Sequence, residues 1–327
     1  MVSLTINLNI GINAQHYLAA VKVNSNWGFI DPSGAWIIQP QFEAIEDFSE
    51  GLAGAKQNGN WGYIDENGKW VIDPVYKRAE NFSEGLGRVI FKQPGDEKWG
   101  YLTKAGVPAF SERFANCQNF HEGLAAARTQ DKWGYIDKTG MFVIPDKFEH
   151  AEIFFDGFAR VKLDEVYGFI DPKGEWVLKT ISKNLRDMRE GFAPAKGEKG
   201  WGYIDRTGKE IVPAIYEHVQ PFSEGRGRVK KNLFGFVNGD GQLVIPLAYD
   251  NARDFNNGLA AIKAGNKWGF IDKGGNDVIK PQFEECLDFC GGLAPVKINA
   301  KWGYVDITGN LIIQPQFEDA KNFVKAD

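Results

Sequence analysis

The run Trp61-Gly62-Tyr63-Ile64-Asp65-Glu66-Asn67-Gly68-Lys69-Trp70-Val71-Ile72-Asp73-Pro74 decides the fold. Its aromatic and β-branched stretches suit strands. The Glu-Asn-Gly between them is turn chemistry, with Gly68 suited to positive φ and Asp65 able to hydrogen-bond the turn backbone. Upstream, Leu52-Ala53-Gly54-Ala55-Lys56 reads as an earlier strand, joined through Asn58-Gly59, a hairpin signal. Proline cannot donate to a ladder, so Asp73-Pro74 is expected to end the third strand. The unit is thus a three-stranded antiparallel meander, and residues from Tyr76 to Glu84 cross to the next unit, as strand or as a single helical turn. Alternation puts Trp61, Tyr63 and Asp65 on one face and Gly62 and Ile64 on the other. Both faces carry apolar groups, which a lone three-stranded sheet cannot cover but stacked copies can.

Copies are present. Trp-Gly pairs begin at Trp27, Trp61, Trp99, Trp133, Trp201, Trp268 and Trp302, and Tyr167-Gly168 and Phe234-Gly235 fill the two long gaps, which makes nine units of ~34 residues. Four residues after the aromatic stands an aspartate in seven units, with Thr103 and Asn238 as exceptions, and three residues later always a glycine. Before the eight later pairs an aromatic precedes a glycine by three residues, as in Phe48 to Gly51 and Phe82 to Gly85, with Met188 to Gly191 the variant.

With Glu50-Gly51-Leu52-Ala53, Lys132-Trp133-Gly134-Tyr135-Ile136-Asp137 and Val278-Ile279-Lys280-Pro281-Gln282-Phe283 in phase, the chain resembles the bacterial WG-repeat proteins over roughly residues 18–323. That resemblance implies a β-repeat module and no particular chemistry.

The fold class expected is all-β: nine tandem meanders stacked as an open superhelical solenoid about 90 Å long, since sheets pack about 10 Å apart. A closed propeller-like ring is the alternative. Residues 6–17 and 316–327 both occupy the connector phase of residues 40–51, and a ring sharing one blade between its termini would not need two connectors. Residues 1–17 are accordingly expected to form an N-terminal cap strand, and 18–327 one continuous array. Repeat three carries an insertion around Lys92–Lys98. Repeat five has Tyr167 for tryptophan and Thr180–Leu185 in place of the Pro-x-Phe corner, and repeat seven has Phe234 and a shorter hairpin.

A net charge of −5 opposes nucleic-acid binding. The start lacks the basic and apolar regions of a signal peptide, and no stretch approaches 18 apolar residues, so a cytoplasmic protein without membrane insertion is expected. Cys117, Cys286 and Cys290 are an odd number, unlike a disulfide framework. Cys117 and Cys286 share the phase of Ala79, Ala151, Ala252 and Ala320 and read as small buried fillers.

Chemistry is sparse. His16, His121, His150 and His218 fall at different phases, so the repeat gathers no catalytic base. Zinc spacing is incomplete, the phased aspartates read as turn caps rather than calcium ligands, and the glycines are turn residues rather than a phosphate cradle. No catalytic, metal or cofactor residue is therefore assigned. The phased tryptophans read as core, or else as an exposed platform that stacks on sugars or bases.

Two charge ladders stand out. The basic one runs Lys22, Lys56, Arg128, Lys162, Lys196, Lys230, Lys263 and Lys297, broken by Ile90. The acidic one runs Glu50, Glu84, Glu122, Asp156, Glu190 and Glu224, then stops at Asn257 and Gly291. The basic row can face an extended anionic ligand and the acidic row a basic partner; alternatively the two rows pair with each other or keep the array soluble. The function expected is a non-catalytic binding or scaffold module for a protein or extended polymer. The alternatives are a glycan- or cell-wall-binding protein and an enzyme with its site in repeats three to five.

Overall fold

The computed structural model describes residues 17–92, 97–180 and 184–327, and all regular structure in them is strand. The strands pair into nine antiparallel sheets, numbered here as blades 1 to 9 after the nine aromatic-glycine pairs. In blade 2, Ala44–Ile45, Ala53–Gln57, Asn60–Ile64 and Trp70–Tyr76 lie side by side in chain order. Among the described residues seven sheets have four strands, and blades 3 and 6 have three. The unit is therefore larger than a three-stranded meander, because the crossing segment donates a short innermost strand to the blade that follows.

The array closes. The last strand, Asp319–Lys325, pairs antiparallel with Tyr17–Val23, setting Tyr17 opposite Lys325 and Leu18 opposite Val324. Blade 1 thus reads Trp36–Phe42, Asn26–Ile30, Tyr17–Val23, Asp319–Lys325, joining the first and last described strands in one sheet. The protein is a nine-bladed β-propeller, not the open solenoid expected from the two connector copies. The C-terminal copy is the missing inner strand of blade 1, and ring closure removes the two unpaired end faces that an open stack exposes. The expected N-terminal cap strand lies outside the described residues except for Tyr17, which opens blade 1's second strand.

A repeated aromatic pair holds neighbouring blades together. The ring two residues after the tryptophan position packs on the phenylalanine of the next blade's inner strand: Tyr63 on Phe82 at 4.8 Å, Tyr135 on Phe154 at 4.8 Å and Tyr304 on Phe323 at 4.9 Å. Between blades 5 and 6 Met188 takes the phenylalanine's place and packs with Phe169. Where the ring is tyrosine its hydroxyl donates to a carbonyl of the next blade's innermost segment, as from Tyr135 to Glu152 O at 2.8 Å and from Tyr203 to Gln220 O at 2.5 Å. Tyr63, Tyr101, Tyr135 and Tyr304 are wholly buried. Alternation behaves as expected: Trp61 and Tyr63 pack toward blade 3, Ile64 toward blade 1.

In seven blades the outermost strand alternates buried and exposed residues and does not stop at the proline. Trp70–Tyr76 runs straight through Pro74, tolerable because an edge strand needs no partner for the missing N–H. Its register against Asn60–Ile64 shifts on both sides of Tyr63, bulging the chain over Gly62. A Cβ there would stand 2.4 Å from Ile72 O and 2.7 Å from Pro74 N, so the glycine of the Trp-Gly pair admits the backbone of its own blade.

Candidate functional site

Antiparallel order puts the turns between strands one and two, and three and four, on one face of the ring, here the upper face. The second hairpin turn and the connectors lie on the lower face. The phased aspartates cap the upper outer turns: Asp137 Oδ1 accepts from the Thr139 hydroxyl at 2.5 Å and its N–H at 2.9 Å. These bonds to the ionised form, the Thr139 hydroxyl's foremost, hold the Asp137 carboxyl below its ordinary value.

The acidic row sits in the upper inner turns, where Glu50, Glu84, Glu122, Asp156, Glu190 and Glu224 all have φ of 52–53° and precede a glycine of positive φ. Two consecutive left-handed residues normally call for Asn-Gly, the sequence at Asn257-Gly258. The acids are kept there because each carboxylate reaches the next blade's turn: Glu50 accepts from Gly85 N at 2.9 Å, Glu122 from Gly157 N at 2.9 Å, and Glu190 from Gly225 N at 2.8 Å. A belt of such bonds runs across the six consecutive junctions from blade 2 to blade 8.

The basic ladder lies on the lower face, so the two rows do not pair with each other. Lys56 is the cross-strand partner of Trp61, and cations at this phase stand beside the aromatic: Lys22 5.8 Å from the Trp27 ring, Arg128 5.5 Å from Trp133, Lys297 5.7 Å from Trp302. Acids that the sequence reading passed over meet several of them, with Lys162 2.7 Å from Glu149, Lys230 3.9 Å from Glu217 and Lys297 3.7 Å from Glu285. Lys196 and Lys263 occupy the same phase on blades 6 and 8.

Two cavities open on the inner wall and share Asp254. The larger, about 630 Å³, spans the upper inner turns of blades 5 to 7, with an apolar floor of Phe155, Pro221 and Phe222. Its polar groups include Asp156, Glu190, Asp254 and Arg189. The smaller, about 340 Å³, lies among Arg228, Arg253, Asp254 and Asp288. Arg228 Nε pairs with Asp254 at 2.9 Å. Burial nonetheless pushes the Asp254 and Asp288 carboxyls above their ordinary range, against the pull of the arginines. Local sequence builds this wall. At the position after the repeat phenylalanine, Ser49, Ser83 and Ser223 donate to the next blade's Phe82, Phe120 and Phe255 carbonyls. Blades 4, 5 and 6 instead carry His121, Phe155 and Arg189, stacked with His121 5.3 Å from the Phe155 ring and the Arg189 guanidinium 3.3 Å from it.

His150 pairs with Glu152 at 2.7 Å and His218 with Gln220 at 2.7 Å, while His16 lies outside the described residues. Cys117 and Cys286 are buried fillers, and burial pushes their thiols up to about 11 and about 12. Among the described residues no three His, Cys, Asp or Glu side chains converge as a metal group, and no helix is long and apolar enough to cross a membrane.

Closed ring and belted turns define the class: a nine-bladed β-propeller built from one tandem unit. The family model for the WG containing repeat matches residues 27–61, 61–92, 99–133, 133–167, 167–198, 201–232, 234–268, 268–302 and 302–325. The chain belongs to that family. No curated protein matches it. Among solved structures, it is similar to the crystal structure of a eukaryotic initiation factor, at 11% identity and a TM-score of 0.68, covering 94% of this chain and 98% of that one. It is also similar to dihydro-heme d1 dehydrogenase NirN in complex with DHE, at 10% identity and a TM-score of 0.53, covering 96% and 75%. At such identities the likeness is one of fold.

Proposed function

We propose that this protein is a non-catalytic binding or scaffold module and that its contact surface is the upper mouth of the central channel at blades 5 to 8. The observation carrying this reading is the larger cavity at the upper inner turns, one side of which is formed by the stacked Phe155 and Arg189, with the smaller cavity adjoining it at Asp254 on the inner wall. Elsewhere the phased polar groups serve the scaffold as turn caps and belt bonds. Sugar stacking is less favoured because all ten tryptophans are buried or half-buried. The basic ladder remains a second candidate surface for an extended anionic polymer, weakened by the acids set against it.

The test is a photoreactive amino acid placed at Ser223 in the channel mouth, at Lys162 on the lower face and at Val143 on the outer edge. In cells, partner adducts are expected from position 223. Adducts confined to positions 162 or 143 would move the surface elsewhere, and turnover of a substrate abolished by cavity substitutions would replace the binding reading with an enzymatic one.

A further inference from the structure

Building on the channel-mouth reading, we propose that the larger cavity receives a cationic side chain, arginine or lysine, from an extended peptide segment of a partner. Charge selects this class. In three places a belt acid meets a lysine from the next blade's outer turn: Lys104 is 3.5 Å from Glu50, Lys138 3.1 Å from Glu84, and Lys273 3.1 Å from Glu224. Where the acid is missing, at Asn257 and Gly291, the clamping position holds Ile307 and Pro32. Acid and cation thus come and go together in that part of the ring.

Blades 4 to 6 break the pattern. The position that would clamp Glu122 is Pro172, and the one that would clamp Glu190 is Gly239. Arg206, at the position that would clamp Asp156, lies over the Phe158 ring at 5.3 Å instead. Three consecutive acids therefore keep their belt bonds but lack the lysine clamp, and two of them border the cavity.

Asp254 is already paired with Arg228, so the cavity sets the carboxylates of Asp156 and Glu190 against the single guanidinium of Arg189, itself stacked on Phe155. Each belt carboxylate has lone pairs beyond those its amide bonds use. The floor of Phe155, Pro221 and Phe222 suits the aliphatic stem of a lysine or arginine, whose charged head the acids would meet. At about 630 Å³ the cavity exceeds one side chain, which leaves room for the flanking peptide backbone.

The probe is a short, blocked, fluorescent peptide of glycine, serine and arginine, titrated by anisotropy beside its counterpart with citrulline, the uncharged isostere. The arginine peptide is expected to bind at least about tenfold more tightly, and the preference to shrink with salt. Asp156→Asn with Glu190→Asn should lower arginine-peptide affinity by about tenfold. Asparagine suits this turn because Asn257 occupies it at φ 53°. Should that variant melt early, Ser223→Arg decides instead: it sets a cation in the cavity, at a position where Arg189 stands in blade 6, and should block the peptide.

Equal binding of the citrulline peptide, no binding of the arginine peptide, or unchanged affinity in these variants would overturn the assignment. Adducts at position 223 combined with any of those results would leave the channel-mouth reading standing and remove only the cationic ligand.

Discussion

Tyr135 is the sharpest probe of how the blades are joined. It is wholly buried, lies 4.8 Å from Phe154 of the next blade at an interplanar angle of 62°, and donates its hydroxyl to Glu152 O at 2.8 Å. Truncation to alanine removes a buried aromatic and its cross-blade partner, a loss of about 3–5 kcal/mol. Tyr135→Phe removes only the hydrogen bond, about 1 kcal/mol net, and the fold already accepts phenylalanine at Phe29, Phe169, Phe236 and Phe270. Trp133→Ala, at a half-buried ring, should cost about 2–3 kcal/mol. Equilibrium urea unfolding, followed by tryptophan fluorescence and checked by circular dichroism, gives the three values. Tyr135→Ala is expected to be the most destabilised, Trp133→Ala intermediate and Tyr135→Phe the least. If Trp133→Ala proves costlier than Tyr135→Ala, or Tyr135→Phe as costly as Tyr135→Ala, the cross-blade aromatic pair is not what joins the blades.

Gly62→Ala should destabilise by about 1–3 kcal/mol or prevent folding, since the added methyl meets the backbone of the bulged outer strand, and a melting curve like wild type would discount that close approach. Acid should weaken the ring through the turn aspartates. Side-chain hydrogen bonds from Thr139, Thr207 and Asn276 are the leading cause holding Asp137, Asp205 and Asp272 below their ordinary value of 3.8. A lowered folded-state value means stability fully present above the unfolded value of 3.8 and lost as pH falls through the folded-state value beneath it, so urea midpoints should begin to drop below about pH 5 and go on dropping beneath about pH 3. Replacing the three aspartates with asparagine should flatten that drop, and an equally steep drop in the variant would place the acid sensitivity elsewhere.

Much of the blade was legible in the sequence because a strand's face alternation and a turn's glycine are local properties. The Trp-Gly-Tyr-Ile-Asp run named its strand, its turn and its two apolar faces. Ring closure was not legible, since it depends on which edge Asp319–Lys325 pairs with, and an identical connector phase at both ends fits either topology. Pro74 misled because the edge position that excuses it exists only in the assembled sheet.

The site followed the same division. The acidic row was visible as a phase, but its role required knowing that upper inner turns of neighbouring blades touch. The basic ladder's partners were missed because Glu149 and Glu217 belong to a connector row that Lys77 and Ala115 interrupt. His121, Phe155 and Arg189 share a phase that holds serine in blades 2, 3 and 7, so three bulky residues in succession there were the available signal, and the stack became evident only across three blades.

The ring depends on the two ends of the array meeting in one sheet. Spin labels at positions 17 and 325, read by double electron–electron resonance, measure that meeting directly. Tyr17 and Lys325 are strand partners in the closed ring, so a narrow distribution within about 20 Å is expected, given strands roughly 5 Å apart plus the label arms. A distribution centred many tens of ångströms out, toward the roughly 90 Å of nine stacked sheets, would contradict the ring and restore the open stack.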